Sequence, residues 1–536
     1  MTDTSNRRPY YITTAIPYVN AKPHIGFALE AVLTDSLARY HRLRGDDGCA
    51  LTGPDDNSLK NVRAAQALGV STQALVDANA TAFHELVRTL NLSFDDFIRT
   101  SSDPRHLAGV RALWEACAVR GDIYSKAYRG LYCVGCERFF AEDELVDGLC
   151  PEHLSPPEIV EEENYFFRLS RYARQLEDLI ASDILHVQPQ ARKNEALGLI
   201  RRGLTDFSIS RTQRRAHGWG IPVPGDPDQI IYVWFDALGN YISALDYAQD
   251  GPLYRRYWAG DGQRVHIIGK DVLRFHAVYW PAMLLSAGAP LPTDIFAHGF
   301  VTVEGAKISK SRGNGVDPLE LVERYGADAL RYYLLREIPP AIDGDFTAER
   351  FLRAYNNDLA DRLGNLLNRT VRMVSRYCDG VAPAPQTTLP VDTALLDTAR
   401  SVPTAVAQAM EAYEPNVALA QIWRLVDAAN RYVEQTEPWA LAKIRSAGGD
   451  TEEEAAGKLA TALYHVAEAL RLTAYLLQPF LPSTAAGIFW QLGLEPGASA
   501  PWEVATRWGG YQSETRVRPG AVLFPKREEE AETSPR

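Results

Sequence analysis

No uninterrupted apolar run in this chain approaches the roughly 18 residues that a membrane-spanning helix needs, so no such span is expected. The opening residues MTDTSNRRPYYITT lack the apolar core of about 7–15 residues found in secretory signals, and the expected location is cytoplasmic. Cysteine is scarce, six in 536 residues, which argues against a secreted disulfide framework. Positive charge is in deficit: the net charge of −12 excludes indiscriminate attraction to nucleic acid, although one shaped basic patch can still hold one RNA. No internal repeat is found. What remains, 46% hydrophobic with 23% charged residues, is the composition of a globular protein, and 536 residues exceed one ordinary core, so two to four domains are expected.

The chain is organised around PYVNAKPHIGF, Pro17 to Phe27. It follows an extended apolar run from Tyr10 to Ile16 and opens an amphipathic one from Ile25 to Leu43, where Leu29, Val32, Leu33, Leu37 and Tyr40 recur at helical spacing. Strand, short loop and helix make a phosphate site, because the first N–H groups of a helix have no intrahelical partner and carry the positive end of its dipole. An anionic nucleotide can sit there without a Walker lysine, with His24 at the helix mouth. Far downstream, GAKISKSRGN (Gly305 to Asn314) places Lys307 and Lys310 beside Ser309 and Ser311 in a glycine-flanked loop, where two lysines can reach phosphates.

Residues 10 to about 115 alternate strand and helix, the first half of a doubly wound sheet. Such sheets bind ligands beyond the carboxyl ends of their strands, which would bring His24 to the loop Gly53-Pro54-Asp55-Asp56-Asn57; the same five residues are also ordinary surface-turn chemistry. Three of the six cysteines fall within 18 positions. Cys133-x2-Cys136, thirteen residues, then Cys150-x2-His153 is the spacing of a tetrahedral Cys3His site that suits Zn²⁺ and leaves no open position, hence a structural ion. Further on, Ile230 to Phe235 reads as a buried strand rejoining the sheet, followed by a helix, and Val265 to Ile268 as another strand. Val272, His276 and Trp280 then share a helix face, a pattern met in cores as well as in sites. Arg362, Asn365, Arg369, Arg372 and Arg376 draw a basic stripe along one helix of an all-helical region, either a solvated face or an RNA surface.

PHIG and KISKS, about 280 residues apart, resemble the two signatures of class I aminoacyl-tRNA synthetases. TAIPYVN, YCVGCERFF, DFSISR, WGIPVPGD, YVWFDAL, GKDVLRFHAVYWPAML and NRYVEQTEPW are similar to the methionyl-tRNA synthetase family in particular, in a match running from about Tyr10 to about Pro525. The resemblance implies an α/β fold: a doubly wound, Rossmann-like catalytic sheet in two halves (1–115 and 226–300), split by an inserted zinc-knuckle domain (116–225). A KISKS segment (301–350), an all-α helix-bundle anticodon-binding domain (351–520) and a disordered tail (521–536) follow. It implies ATP with Mg²⁺, methionine and tRNA(Met) as substrates, and one structural zinc held by Cys133, Cys136, Cys150 and His153. His24, Lys307 and Lys310 would be catalytic, with Pro23, Gly26, Gly269 and Ser309 also at ATP. Ala15, Ile16, Tyr18, Asp55, Trp234, Ala237, Tyr241, Val272, His276 and Trp280 would line the amino-acid pocket, Asp55 holding the ammonium group and a Tyr241–His276 pair sensing sulfur. Asn365 and Arg369 fall where the family reads anticodon bases and Trp439 where it stacks one, and the surface around Arg211, Arg214 and Arg215 would steer the acceptor end. No further dimerisation segment is visible, and a monomer is expected.

The chain departs from the family pattern at the catalytic mouth. HIGF stands where a second histidine is usual, so Phe27 replaces it, and Asp56, Asn57 and Ser58 stand where an acidic residue, His and Gly are usual. Lys22 could supply a replacement charge or be a plain loop lysine, and Phe27 could pack under the loop. Three functions are therefore open: a methionine–tRNA ligase; a paralogue passing its aminoacyl adenylate to a small-molecule acceptor; and a non-catalytic RNA-binding or regulatory relative.

Overall fold

The computed structural model describes residues 7–140, 142–151, 154–307, 315–448, 450–495 and 500–528. The chain divides into two compact units, Met1–Ala38 with Asp46–Gly299 and Arg39–Gly45 with Phe300–Arg536. Among the described residues no helix is long and apolar enough to cross a membrane.

The first unit takes β1 (Pro9–Thr14), α1 (Ile25–Arg44) as far as Ala38 and β2 (Asp47–Thr52), then α2 (Leu59–Leu68), α3 (Thr72–Thr89), β3 (Asp96–Phe97) and α4 (Pro104–Val119). Local chemistry sets the boundaries: Ser58 caps α2 by accepting from the Lys60 N–H, and Gly69, at φ 67, ends it in a left-handed turn. An antiparallel excursion follows, β4 (Ile123–Cys133), β5 (Arg138–Phe140) and β6 (Glu158–Phe167), before α5 (Ala173–Ala181), β7 (His186–Gln188) and α6 (Gln190–Arg201). Then come β8 (Phe207–Ser208), β9 (Ser210–Thr212), β10 (Pro222–Val223), β11 (Asp226–Ile231), α7 (Val233–Ser243), β12 (Gln263–Gly269), α8 (Trp280–Ala287) and β13 (Asp294–His298).

Six of these strands form one parallel sheet in the order β3-β2-β1-β12-β13-β7. β1 is flanked by β2 and β12, so the strand order reverses at β1/β12 and a crevice opens beyond their carboxyl ends, as a doubly wound sheet requires. The core beneath it takes Tyr11, Leu51, Ile268 and Ile295 from the strands and Val110, Phe235 and Leu284 from covering helices.

Two expectations are corrected here. Ile230 to Phe235 is not one strand of the parallel sheet: β11 pairs antiparallel with β9 and β10, and Val233-Trp234-Phe235 already belong to α7. All eleven residues of α7 are buried, and a segment buried on every side has no periodicity that separates strand from helix. The stretch 116–225 is also not wholly an insertion, since β7 pairs with β13 at the edge of the parallel sheet.

The second unit opens with β14 (Val301–Val303) and β15 (Ala306–Lys307), then α9 (Pro318–Tyr325), α10 (Ala327–Arg336) and β16 (Gly344–Phe346), which joins the strands in a small sheet ordered β15-β14-β16. The helical region follows: α11 (Ala348–Ala354), a π-helical stretch Tyr355–Gly364, α12 (Asn365–Tyr377), α13 (Asp392–Glu411), α14 (Pro415–Thr436), α15 (Pro438–Ala447), α16 (Glu452–Leu477), α17 (Pro482–Gln491) and α18 (Trp502–Ala505). The bundle winds around α16, twenty-one of whose residues are buried. Its buried Glu468 pairs with Arg471 at 2.7 Å and accepts the N–H groups of Gly509, Gly510 and Tyr511, so the charge is fully partnered. Part of the expected disordered tail is docked: Phe524 is buried, and Pro525 O accepts the Tyr355 hydroxyl at 3.0 Å.

Candidate active site

Beyond β1 the chain stays pinned to the sheet, the Ala15 N–H donating to Ile267 O at 3.0 Å and Pro17 O accepting the Asp55 N–H at 2.8 Å. Tyr18 and Asp55 pair as a parallel bridge, so the loops after β1 and β2 lie side by side at the switch point. Gly53 is required there, because a Cβ would stand 2.1 Å from Ile98 O. Asp55 is therefore no surface turn. It is 1% exposed, and burial, then the Asp236 and Asp56 carboxylates, push its carboxyl well above the usual range. Burial and neighbouring carboxylates disfavour the charged form here, so a cationic partner is what would favour ionisation.

At the mouth of α1, His24 is exposed and Pro23 buried beside it. The Gly26 N–H donates to His24 Nδ1 at 3.0 Å, which leaves the imidazole proton on Nε2. Phe27 points the other way, 7% exposed, its ring edge-on to Phe83 of α3 with centroids 4.8 Å apart. Lys22 is exposed. Gly269 ends β12 next to this mouth's strand.

The aromatic set converges. Trp234, Ala237 and Tyr241 are buried on α7, Tyr18 meets Trp234 edge-on at 6.1 Å, and Trp280 lies edge-on to Tyr241 at 6.0 Å. The Tyr241 hydroxyl and His276 Nε2 are 2.7 Å apart, while His276 Nδ1 is 3.0 Å from Val272 O. A carbonyl only accepts, so Nδ1 carries the proton and Tyr241 donates to Nε2. Burial pushes the His276 imidazole down to about 4, which keeps the pair neutral at physiological pH. Ala15, Ile16 and Val272 are half-buried nearby in sequence to these groups. Sequence reasoning missed Phe275, stacked on Trp234 at 3.6 Å, and His266, which receives the Trp280 indole N–H at 3.2 Å. Neither has a spacing signal of its own.

The residues Asp56, Asn57 and Ser58 are knitted into the fold. Asp56 Oδ2 accepts from Arg99 Nε at 2.8 Å and Ser101 Oγ at 2.7 Å. Asn57 Nδ2 donates to Asp236 Oδ2 at 2.7 Å, whose Oδ1 lies 2.5 Å from His106 Nε2, and Ser58 Oγ donates to Glu137 Oε1 at 2.8 Å. Glu137 belongs to the turn after β4 that carries Cys133 and Cys136. The sulfurs of Cys133, Cys136 and Cys150 lie within 4.8 Å of one another, with Cys136 and Cys150 only 3.4 Å apart, a geometry able to hold a metal ion. His153, Ser309, Lys310 and the side chain of Lys307 lie outside the described residues.

In the second unit, α14 turns sharply into α15 at Glu437, at φ 42, and this corner leaves the Trp439 ring 43% exposed. Arg362, Asn365, Arg372 and Arg376 are exposed along one face, but Arg369 is half-buried and donates to Asn430 Oδ1 at 3.1 Å. Asn430 in turn donates to Arg362 O at 3.1 Å, tying α14 to the stripe.

The family model for class I (M) tRNA synthetases matches residues 10–156 and 153–371, and that for the anticodon-binding domain of methionyl tRNA ligase matches 382–534. The chain belongs to the class I (M) tRNA synthetases. Within that family it is 43% identical over 527 residues to the methionine–tRNA ligase of Caldanaerobacter subterraneus subsp. tengcongensis, covering 98% of this chain and 80% of that one. The Clostridium perfringens methionine–tRNA ligase is also 43% identical, over 97% of this chain and 78% of its own. Mycobacterium tuberculosis methionyl-tRNA synthetase in complex with methionyl-adenylate superposes with a TM-score of 0.91 at 42% identity, over 97% of this chain and 100% of that chain. Its apo form gives 0.84 at 38% identity, over 98% and 99%. The fold read from the sequence, a Rossmann-like parallel sheet followed by a helical anticodon domain, is that of this synthetase family.

Proposed function

We propose that this chain is a methionine–tRNA ligase, which activates methionine with ATP and passes it to tRNA(Met). The observation that carries the reading is the neutral Tyr241–His276 pair facing an aromatic wall, in the same crevice as a buried carboxylate at Asp55. A thioether is apolar and polarizable, so aromatic rings favour it and a neutral hydroxyl or imidazole can sense its sulfur without adding charge. Asp55 takes the ammonium group, with backbone near Ala15 and Ile16. The substrate carboxylate attacks the α-phosphorus of ATP, pyrophosphate leaves, and methionyl-AMP forms; the terminal ribose hydroxyl of tRNA then attacks the activated carbonyl and AMP leaves. Positioning and electrostatic stabilisation do most of this work. Pro23 and Gly26 bring His24 Nε2–H to the phosphates, Gly269 lets the nucleotide approach, and Lys307, Ser309 and Lys310 supply further donors. Mg²⁺ accompanies ATP as the counter-charge of its phosphates.

The converging sulfurs fit zinc, with His153 completing four ligands, and a closed tetrahedral site supplies structure rather than chemistry. Elemental analysis should find one zinc per chain, and Cys136→Ser should lose it together with thermal stability; zinc-free wild-type protein would remove this assignment. The exposed Trp439, with Asn365 and Arg369, reads the anticodon. Trp439→Ala should lower tRNA charging by about 5–150-fold, the equivalent of a lost stacking energy of about 1–3 kcal/mol, while leaving pyrophosphate exchange nearly intact. Equal loss of both activities would take Trp439 away from the anticodon.

The deciding experiment is ATP–pyrophosphate exchange across the twenty amino acids, followed by tRNA charging with the one that responds. Methionine-dependent exchange with charging of tRNA(Met) is expected. Exchange without charging would transfer the product to a small-molecule acceptor, and no exchange would leave an RNA-binding relative.

A further inference from the structure

Asp55 is the near end of a hydrogen-bonded chain that runs into the core. Its Oδ1 accepts the Asn57 N–H at 3.2 Å, and the Asn57 side chain reaches a second buried carboxylate, that of Asp236 on α7. Asn57 Nδ2 lies 3.1 Å from Thr100 O and 2.7 Å from Asp236 Oδ2; a carbonyl only accepts, so this atom is the nitrogen and donates to both. Asp236 Oδ1 lies 2.5 Å from Nε2 of His106 on α4, and His106 Nδ1 lies 2.9 Å from Ser243 Oγ. All five residues from Asp55 to Ser243 in this chain are buried. Glycines permit the contact: a Cβ on Gly109 of α4 would stand 2.4 Å from Ser243 Cβ, and one on Gly239 of α7 would stand 3.0 Å from Val110 Cγ2. Side chains at those positions would hold the two helices apart.

Charge gives this chain a purpose beyond packing. Two carboxylates joined by one amide in a dry site cannot both ionise cheaply without a cation, since each disfavours the charge of the other. The groups that face Asp55 are acids and phenols: Asp236 from α7, Asp56 from its own loop, Glu137 from the turn after β4, and Tyr18 and Tyr241. Arg99 is committed to Asp56 at 2.8 Å and Asp77 at 2.9 Å. The basic group that reaches Asp236 is His106, which also faces Asp103 at the start of its own helix. Its ring can take either charge state in place. The Ser243 hydroxyl can donate to Nδ1, or accept from it and donate to Asn240 O at 3.3 Å, so no side chain has to move when the imidazole gains a proton.

We propose that His106 is a positioning residue for the ammonium site: through Asp236 and Asn57 it offsets the Asp236 charge and holds the Asp55 carboxylate ready for an incoming amine cation. This rests on the reading of Asp55 as the ammonium partner. His106 is buried and acts only through the chain of hydrogen bonds. The histidine usual at position 57 is an amide here, and the imidazole that reaches Asp236 comes from position 106.

The test is methionine-dependent pyrophosphate exchange by the full chain as a function of pH, with kcat and KM separated, in His106→Gln, Asp236→Asn and the double variant. Glutamine can keep a hydrogen bond to Asp236 but not the charge. With Asp236 uncompensated Asp55 ionises less readily, so the acid limb of kcat/KM, which reports the free enzyme, should move up by about one pH unit. On that limb this is about a tenfold loss at fixed pH, carried by KM, with kcat within about threefold. Asp236→Asn removes the repelling charge and should move the limb down, and the double variant should lie beside it, because His106 then has no charge to offset. Limbs that superimpose on wild type, shifts in one direction only, or a loss confined to kcat overturn the proposal. If His106→Gln fails to fold, the double variant decides: a neutral pair that folds supports charge compensation, and failure of both overturns it. If the wild type shows no methionine-dependent exchange, the ligase reading falls, and melting of the ligand-free protein tests His106 without it. The stabilisation by Asp55→Asn should grow with pH up to the folded value of the Asp55 carboxyl, and in the His106→Gln background it should go on growing to higher pH. Equal increments in both backgrounds at every pH overturn the proposal.

Discussion

Asp55→Asn should reduce kcat/KM for methionine by on the order of 10²–10³, with the loss concentrated in KM, while raising the melting temperature of the ligand-free protein at neutral pH. The first effect follows from removing one member of a buried charge pair in the complex, which leaves the methionine ammonium in a dry site without its counter-charge at about 3–5 kcal/mol. The second follows from the direction of the carboxyl's shift. Burial is the leading cause that holds Asp55 well above its ordinary value, with the Asp236 and Asp56 carboxylates adding to it. An acid whose folded-state value is raised gives its full stabilisation below the unfolded value near pH 3.9, and that stabilisation is lost as pH rises through the folded value. At neutral pH the wild type has therefore lost stability that an amide never loses. Asparagine keeps an oxygen to accept the Asn57 N–H, which Asp55 Oδ1 accepts at 3.2 Å. Melting curves of both proteins at pH 4 and pH 7.5, with and without methionine, check this: the advantage of the variant should shrink toward acid, and only the wild type should gain stability from methionine. A less stable variant at neutral pH would show that Asp55 has a charge partner in the free protein.

That behaviour depends on a neighbourhood of which only part is visible in the linear chain. Local signals carried the outer frame: the strand before PYVNAKPHIGF, the helix after it, and the x2 spacing of the cysteines are short-range patterns, and β1, α1 and the sulfur cluster stand where those patterns put them. The Tyr241–His276 pair came from the family resemblance, and its 2.7 Å contact joins residues 35 apart. Asn57, Asp236 and His106 form one hydrogen-bonded chain across separations of 179 and 130 residues. No periodicity encodes such a contact, so Asn57 and Ser58 read as anomalies in the sequence and as satisfied buried groups in the fold. The same limit hid the edge strand β7 and the packing of Arg211 and Arg215, whose guanidinium groups lie over the Tyr132 ring of β4.

His24→Ala should lower methionine-dependent exchange by about 10²–10³, the effect of about 2.7–4 kcal/mol expected when one preorganised donor to a transition state is removed. Phe27→His should not raise it. In the family pattern a histidine occupies the Phe27 position, and restoring it looks like the obvious gain. Here the side chain is 7% exposed and packed edge-on against Phe83, directed into the core between α1 and α3, while His24 on the loop is exposed. An imidazole placed there loses an aromatic pair worth about 0.5–1.5 kcal/mol and buries a polar ring among apolar neighbours, so a lower melting temperature is expected. The double variant Phe27→His, Phe83→Ser separates packing from catalysis, because it gives the new ring a polar neighbour without changing the loop. If exchange rose in either protein, the histidine would be reaching the phosphates and the departure at Phe27 would be a genuine catalytic deficit. If exchange stays at or below wild type while His24→Ala abolishes most of it, the mouth of α1 works with one imidazole, and its orientation by the Gly26 N–H at 3.0 Å is what makes one sufficient.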